Sequence, residues 1–229
     1  MKRIGILGGM SAASSQLYYK ILCELTQKKF GGLNSPEILL RSLNFAPLAE
    51  CMNSGEWRKI GAILNQEALR LRDGGADFIV LATNTMHKMA DEMMAGVDIP
   101  LLHIADATAE KLVQEGIKKP AFIATKFTME ERFYLDKLEG CGLEPLVPNQ
   151  EQRQEINRII FEELCRGEVH PASQKKYVEV VHELTAQGAD SVILGCTEVC
   201  MLLNESNTGI PTFDTTYLHC EAALAMASE

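Results

Sequence analysis

Two stretches of this chain repeat one another: Gly75-Ala76-Asp77-Phe78-Ile79-Val80-Leu81-Ala82-Thr83-Asn84-Thr85 and Gly188-Ala189-Asp190-Ser191-Val192-Ile193-Leu194-Gly195-Cys196-Thr197-Glu198. In each, Gly-Ala-Asp leads into a short β-branched apolar run that stops at small or hydroxylated residues ahead of a helical pattern. A buried strand of this kind, repeated at long range, predicts a duplicated α/β unit. Superposing the repeats puts Thr83 and Cys196 at the same position. In a pair of related lobes these two side chains are expected to face one another across the cleft between them, where one carbon atom can be served from two sides.

The alternation along the chain supports the same reading. Arg3–Leu7 reads as a buried strand, followed by the turn Gly8-Gly9-Met10-Ser11 and a helix over about 14–29 capped by Ser11 or Ser14. Strands follow at 37–42 and 77–82, with helices at 55–72 and 85–95. The cycle restarts with strands at 101–104 and 120–124, helices at 107–115, 129–138, 152–165 and 172–186, a strand at 191–194 and a last helix from Thr216. Strands alternating with helices predict parallel sheets wrapped on both faces. The expected architecture is therefore α/β, with two pseudo-symmetric parallel-sheet lobes and an active site in the interlobe cleft. One lobe is expected at 1–97 with 209–229 returning to it, and the other at 98–208. Ligands in open α/β sheets bind beyond the carboxyl ends of the strands, where Gly8–Ser11, Thr83–Thr85, Thr125–Thr128 and Cys196–Glu198 gather.

Composition narrows the partners. A net charge of -9 argues against a nucleic-acid surface, which needs Lys and Arg for phosphates, and points to a small-molecule ligand. No apolar run approaches the roughly 20 residues of a membrane span, and the Gly-rich start does not read as a signal peptide, so a cytoplasmic location is expected. Seven scattered cysteines do not suggest a disulfide framework. Cys196 and Cys200, four apart without a second Cys or His pair, are weak support for zinc. The Ile4–Gly9 start lacks the dinucleotide Gly register, and no acidic residue ends the second strand.

Cys196 stands apart because it follows a strand and opens a helical turn. Unpaired N-H groups there would lower its pKa from about 8.5 towards neutrality and make it a base or nucleophile. His87 lies one turn after Thr83 and either looks into the cleft as a general acid or packs against the sheet. Lys126 and Arg41 sit near strand ends and could meet a carboxylate, although solvated surface charge is the commoner fate of both. Met10 and the Met86, Met89, Met93, Met94 helix suit packing of core or cleft.

Gly8-Gly9-Met10-Ser11, Asn84-Thr85-Met86-His87, Ala124-Thr125 with Thr128-Met129, and Gly195-Cys196-Thr197-Glu198 together resemble the motif set of the aspartate/glutamate racemase family along the whole chain. The resemblance implies a two-lobed, usually dimeric enzyme that interconverts enantiomers of acidic amino acids without pyridoxal phosphate or metal. It implies two opposed cysteines at the α-carbon, of which the second-lobe residue, here Cys196, serves the L enantiomer. It places Met10, Ser11, Asn84, Thr85, Thr125, Lys126, Thr128, Thr197 and Glu198 around the substrate, with His87 and Arg41 as possible supports. The chain departs from the pattern at Thr83, where the family has its first cysteine. An alcohol cannot hold a resting anion at neutral pH, but it can relay a proton or anchor a water. The Arg and Lys of aspartate-specific members are also missing, with residues 46–49 and Cys165 near those places. The lone cysteine leaves other readings within the superfamily: a single-cysteine decarboxylase or isomerase of a dicarboxylate, or a catalytically impaired acidic amino-acid binding protein.

Overall fold

A computed structural model describes residues 1–229, and the elements run in chain order. They are β1 (Ile4–Gly8), α1 (Ala12–Phe30), β2 (Ile38–Ser42), α2 (Phe45–Ser54), α3 (Trp57–Asp73), β3 (Phe78–Leu81), a 3-10 turn (Thr85–Met89), α4 (Ala90–Met94), β4 (Leu101–Leu102) and α5 (Ile104–Gln114). The second half follows with β5 (Pro120–Ala124), α6 (Lys126–Glu130), α7 (Arg132–Gly140), α8 (Gln150–Glu162), α9 (Pro171–Ala186), β6 (Ser191–Gly195), a 3-10 turn (Thr197–Met201), α10 (Glu205–Thr208), β7 (Thr212–Asp214) and α11 (Thr215–Ala227). The chain forms two compact units, Met1–Ile104 with His219–Glu229, and Ala105–Leu218. No helix is long and apolar enough to cross a membrane.

The first unit holds a parallel sheet in the order β2-β1-β3-β4, and the second a parallel sheet in the order β5-β6-β7. Strands β1, β3 and β4 thus recur as β5, β6 and β7 in the same order, which is the duplication seen in the sequence. β7 is only three residues long, too short for an alternation signal. Its pairing with β6 draws residues up to Leu218 into the second unit, and only the rest of α11 returns to the first.

That return is driven by burial. Ile4, Ile6, Phe78 and Val80 on one face of the first sheet pack with Tyr18, Ile21 and Leu22 of α1 and with Cys220, Ala223 and Ala227 of α11. Each fully buried aliphatic or aromatic side chain contributes roughly 1.5–3 kcal/mol. In the second unit Phe122 stacks on Tyr134 with centroids 4.7 Å apart, and the Tyr134 hydroxyl donates to Thr108 Oγ1 at 3.2 Å.

Residues 45–54 form a helix that the periodicity reading passed over. Asn44 caps it by accepting from the Ala46 N-H, and Pro47 falls in the first turn, where a missing N-H costs nothing. Gly55, at φ 75°, ends it before α3 begins. The expected helices at 85–95 and 129–138 are each broken in two, the first into a 3-10 turn and α4, the second into α6 and α7.

Candidate functional site

In the first unit the loops after β1 and β3 are built by serine hydroxyls. Ser11 accepts from the Ser14 N-H at 3.2 Å and so caps α1. The Ser15 hydroxyl accepts from the Gly9 N-H at 2.7 Å and donates to the Ser11 carbonyl at 3.0 Å, while Ser14 donates to the Ala82 carbonyl at 3.2 Å. These bonds tie the β1 loop to the end of β3. Gly9 has φ 87°, and a Cβ there would collide with the Leu43 backbone, so a bare backbone is needed for the two loops to pass. Met10 is buried beside this turn. Neither Ser14 nor Ser15 stands out in the sequence as a site residue, since a helix N-terminus accounts for both.

Thr83 is half-buried just past β3, and Asn84 and Thr85 behind it are buried. His87 is only 2% exposed and has both ring nitrogens occupied. Nδ1-H donates to the Thr83 carbonyl at 2.7 Å, and Nε2 accepts from the Ile104 N-H at 3.3 Å. Burial holds this imidazole well below its ordinary pKa, and the neighbouring His103 and His219 add to the effect. His87 is therefore a neutral brace between the Thr83 turn and Ile104, which is the packed alternative of its two sequence readings. His103 and His219 were not singled out in the sequence. The Tyr18 hydroxyl donates to His219 Nδ1 at 2.9 Å, and Nε2-H donates to the Leu102 carbonyl at 2.9 Å.

Arg41, expected as one possible carboxylate receptor, is committed elsewhere. Its Nε and second terminal nitrogen lie 2.7 and 2.6 Å from one oxygen of the buried Glu67, whose other oxygen pairs with Arg70. Glu67 is what the sequence reading missed, because its place on the sheet-facing side of α3 is set by packing.

In the second unit Thr125 caps α6 by accepting from the Thr128 N-H, and the two hydroxyls lie 3.0 Å apart, both buried. The half-buried Lys126 gives its backbone N-H to Asn157 Oδ1 at 3.0 Å. Past β6, Cys196, Thr197 and Glu198 make one cluster. Cys196 Sγ donates to Glu198 Oε2 at 3.0 Å, and Thr197 Oγ1 donates to the same oxygen at 2.6 Å.

This cluster overturns the expected thiolate. Burial raises the Cys196 thiol well above its ordinary value, and the facing Glu198 carboxylate raises it further. The following element is a short 3-10 turn, too weak a dipole to oppose a whole charge at hydrogen-bond distance. Cys196 rests as a thiol with a proton acceptor already on its sulfur. Nearby, Cys200 is likewise raised by burial and by Asp214, whose own carboxyl is raised by burial. No group of three His, Cys, Asp or Glu side chains is arranged to hold a metal ion.

Two units of parallel α/β structure, each ending its second common strand in a polar turn, with a thiol hydrogen-bonded to a carboxylate in one of them, form the duplicated α/β class that the sequence repeat encodes. The chain belongs to the Asp/Glu/hydantoin racemase family, whose sequence profile it matches over residues 7–223. It is 27% identical over 216 residues to the broad specificity amino-acid racemase RacX of Bacillus subtilis, covering 93% of this chain and 92% of RacX. Among solved structures it is similar to a candidate Asp/Glu racemase from Yersinia pestis, with 41% identity, a TM-score of 0.94 and full coverage of both chains. It is also similar to PH1733, an aspartate racemase homologue from Pyrococcus horikoshii, with 36% identity, a TM-score of 0.87 and full coverage of both. These relatives carry racemase names, which does not favour the decarboxylase, isomerase or binding-protein readings.

Proposed function

We propose that this protein racemises an acidic amino acid, aspartate or glutamate, with Cys196 acting on the α-proton of the L enantiomer and Thr83 serving the opposite face. Besides family membership, the observation that carries the reading is the Cys196–Glu198 contact at 3.0 Å, at the position that the repeat duplicates as Thr83.

The steps balance as follows. The Sγ proton passes to Glu198 Oε2, and the thiolate so formed takes the α-proton. The C-H electron pair moves into the substrate carboxylate, giving an aci-carboxylate whose oxygens need preorganised donors. Asn84, Thr85, Thr125, Thr128 and Thr197 supply hydroxyl, amide and backbone donors for this role, Met10 and Ser11 line the β1 turn, and Lys126 meets a carboxylate. The Thr83 hydroxyl, directly or through a water, gives a proton to the other face and recovers one from solvent. Glu198 then releases its proton to solvent.

An alcohol is a far weaker acid than a thiol, so the Thr83 step is the slow one. Exchange of the L α-proton at Cys196 therefore outruns inversion. Since the equilibrium constant of racemisation is one, kcat/KM is the same in both directions, and the asymmetry falls on kcat and KM separately.

The test is incubation of both enantiomers of aspartate and glutamate in heavy water, following α-deuteration by NMR and configuration by chiral chromatography. Because RacX is named for broad specificity, neutral and basic amino acids belong in the same screen. Faster deuteration of an L acid than its inversion, both lost in Cys196→Ser, is expected. Equal exchange of both enantiomers, or activity surviving in Cys196→Ser, would remove the proposal.

A further inference from the structure

The Thr83 turn is held by a side chain, and its counterpart in the repeat is not. The turn is 3-10, so the His87 N-H goes to the Asn84 carbonyl at 3.2 Å, and the Thr83 carbonyl receives His87 Nδ1-H at 2.7 Å. The Thr83 N-H donates to the Leu81 carbonyl at 2.8 Å. Both backbone groups of Thr83 are thus fixed, one by the strand end and one by an imidazole four residues on. Because the Ile104 N-H can only donate, Nε2 must stay bare to accept it at 3.3 Å, which sets the tautomer with the proton on Nδ1. Burial keeps the ring neutral, as this pairing requires.

The ring is itself immobilised. His103 lies 4.3 Å and His219 6.0 Å from it, centroid to centroid, and His219 is tied to the Tyr18 hydroxyl and the Leu102 carbonyl, each at 2.9 Å. Between them His87 and His219 take the Ile104 N-H and the Leu102 carbonyl, the groups on either side of His103, where the chain leaves the first unit.

Continuing the repeat two residues without a gap sets His87 on Cys200. In the second unit the Cys196 carbonyl accepts the backbone N-H of Val199 at 3.1 Å, a bond made without a side chain. The turn can therefore close without a histidine, and the imidazole brace belongs to the unit that carries an alcohol where the repeat carries a thiol. Proton transfer through a hydroxyl needs a donor-acceptor distance of about 2.6–3.2 Å, so the backbone that bears it must be held in place. Given the roles proposed for Cys196 and Thr83, on which this inference rests, we propose that His87 is the positioning residue for Thr83. Its Nδ1-H bond to the Thr83 carbonyl sets the hydroxyl for proton return to the substrate face that Cys196 does not serve.

Two substitutions separate the ring nitrogens. The amide of His87→Asn places a donor near Nδ1, and that of His87→Gln an acceptor near Nε2. The readout is the ratio of inversion to α-deuteration for the L enantiomer in heavy water, which a simple loss of folded protein leaves unchanged. In His87→Gln the ratio should fall about 10-fold or more, since a misplacement of about 1 Å can cost about 10²-fold. In His87→Asn it should stay close to the wild-type value. An unchanged ratio in His87→Gln, or an equal fall in both variants, would overturn the proposal. Should circular dichroism show that either variant does not fold, the wild-type chain decides by a long-range proton-nitrogen correlation spectrum of its histidines. A neutral His87 protonated on Nδ1 supports the brace, and a proton on Nε2 refutes it. Neither deuteration nor inversion in the wild-type chain would instead remove the roles given to Cys196 and Thr83, and this inference with them, whatever the tautomer.

Discussion

Replacing Glu198 with Gln removes a negative charge from hydrogen-bond distance of the Cys196 sulfur while keeping the shape of the side chain. The contact is 3.0 Å to one oxygen, and with the charge spread over the carboxylate an effective separation of about 4 Å gives roughly 1 kcal/mol in a water-like medium and about 4 kcal/mol at an effective dielectric of 20. Removing that repulsion lowers the thiol pKa, each 1.36 kcal/mol counting as one unit. Each unit multiplies the thiolate fraction by about ten below the pKa but lowers intrinsic nucleophilicity by about threefold, leaving a net gain of roughly threefold per unit. Alkylation of Cys196 by iodoacetamide at pH 7 should therefore accelerate by about 3- to 30-fold in Glu198→Gln, read from the modified peptide so that the exposed Cys141 and Cys165 do not confuse it. Racemisation should fall in the same variant, because the acceptor for the thiol proton is gone. An unchanged or slower alkylation rate would refute the argument that Glu198 holds the proton on the sulfur.

Thr83→Cys should raise inversion of the preferred acidic amino acid by about 10²-fold, the scale of a well-placed acid or base, as read by chiral chromatography. No gain in a folded variant would mean that Thr83 is not the second proton-transfer position. His219 is buried neutral with its pKa lowered from 6.5 to about 4, so the unfolded chain binds the proton first as pH falls. Its contribution is complete above pH 6.5 and is lost between there and pH 4, about 2 kcal/mol of it between pH 7 and pH 5. Urea titrations at the two pH values should show that loss, and His219→Gln should reduce it. Gly195→Ala should destabilise the second unit by about 1–3 kcal/mol, since its Cβ would sit 2.5 Å from the Phe122 ring and 2.8 Å from the Ala124 Cβ; wild-type urea stability would count against this packing.

The two sheets were legible because buried parallel strands are written as short apolar runs, and because the Gly-Ala-Asp repeat exposes the duplication. Helix α2 is short and carries Pro47 in its first turn, so it shows little apolar period, and the three residues of β7 carry none. At the site, the turn residues from Met10 to Ser11, Thr83 to Thr85, Thr125 to Thr128 and Cys196 to Glu198 could be found from their places after strands. What they do there could not. The charge state of Cys196 is set by where the Glu198 side chain lies, the fate of Arg41 by a buried carboxylate on α3, and the role of His87 by the contacts of its two ring nitrogens.

The amino-acid order alone thus determined the fold class, the repeat and the set of chemically able residues, since each rests on local periodicity and residue type. Only the tertiary structure decided which of those groups are neutral and which are spent on one another. Protonation and pairing depend on distances between residues far apart in the chain, and those exist only after folding.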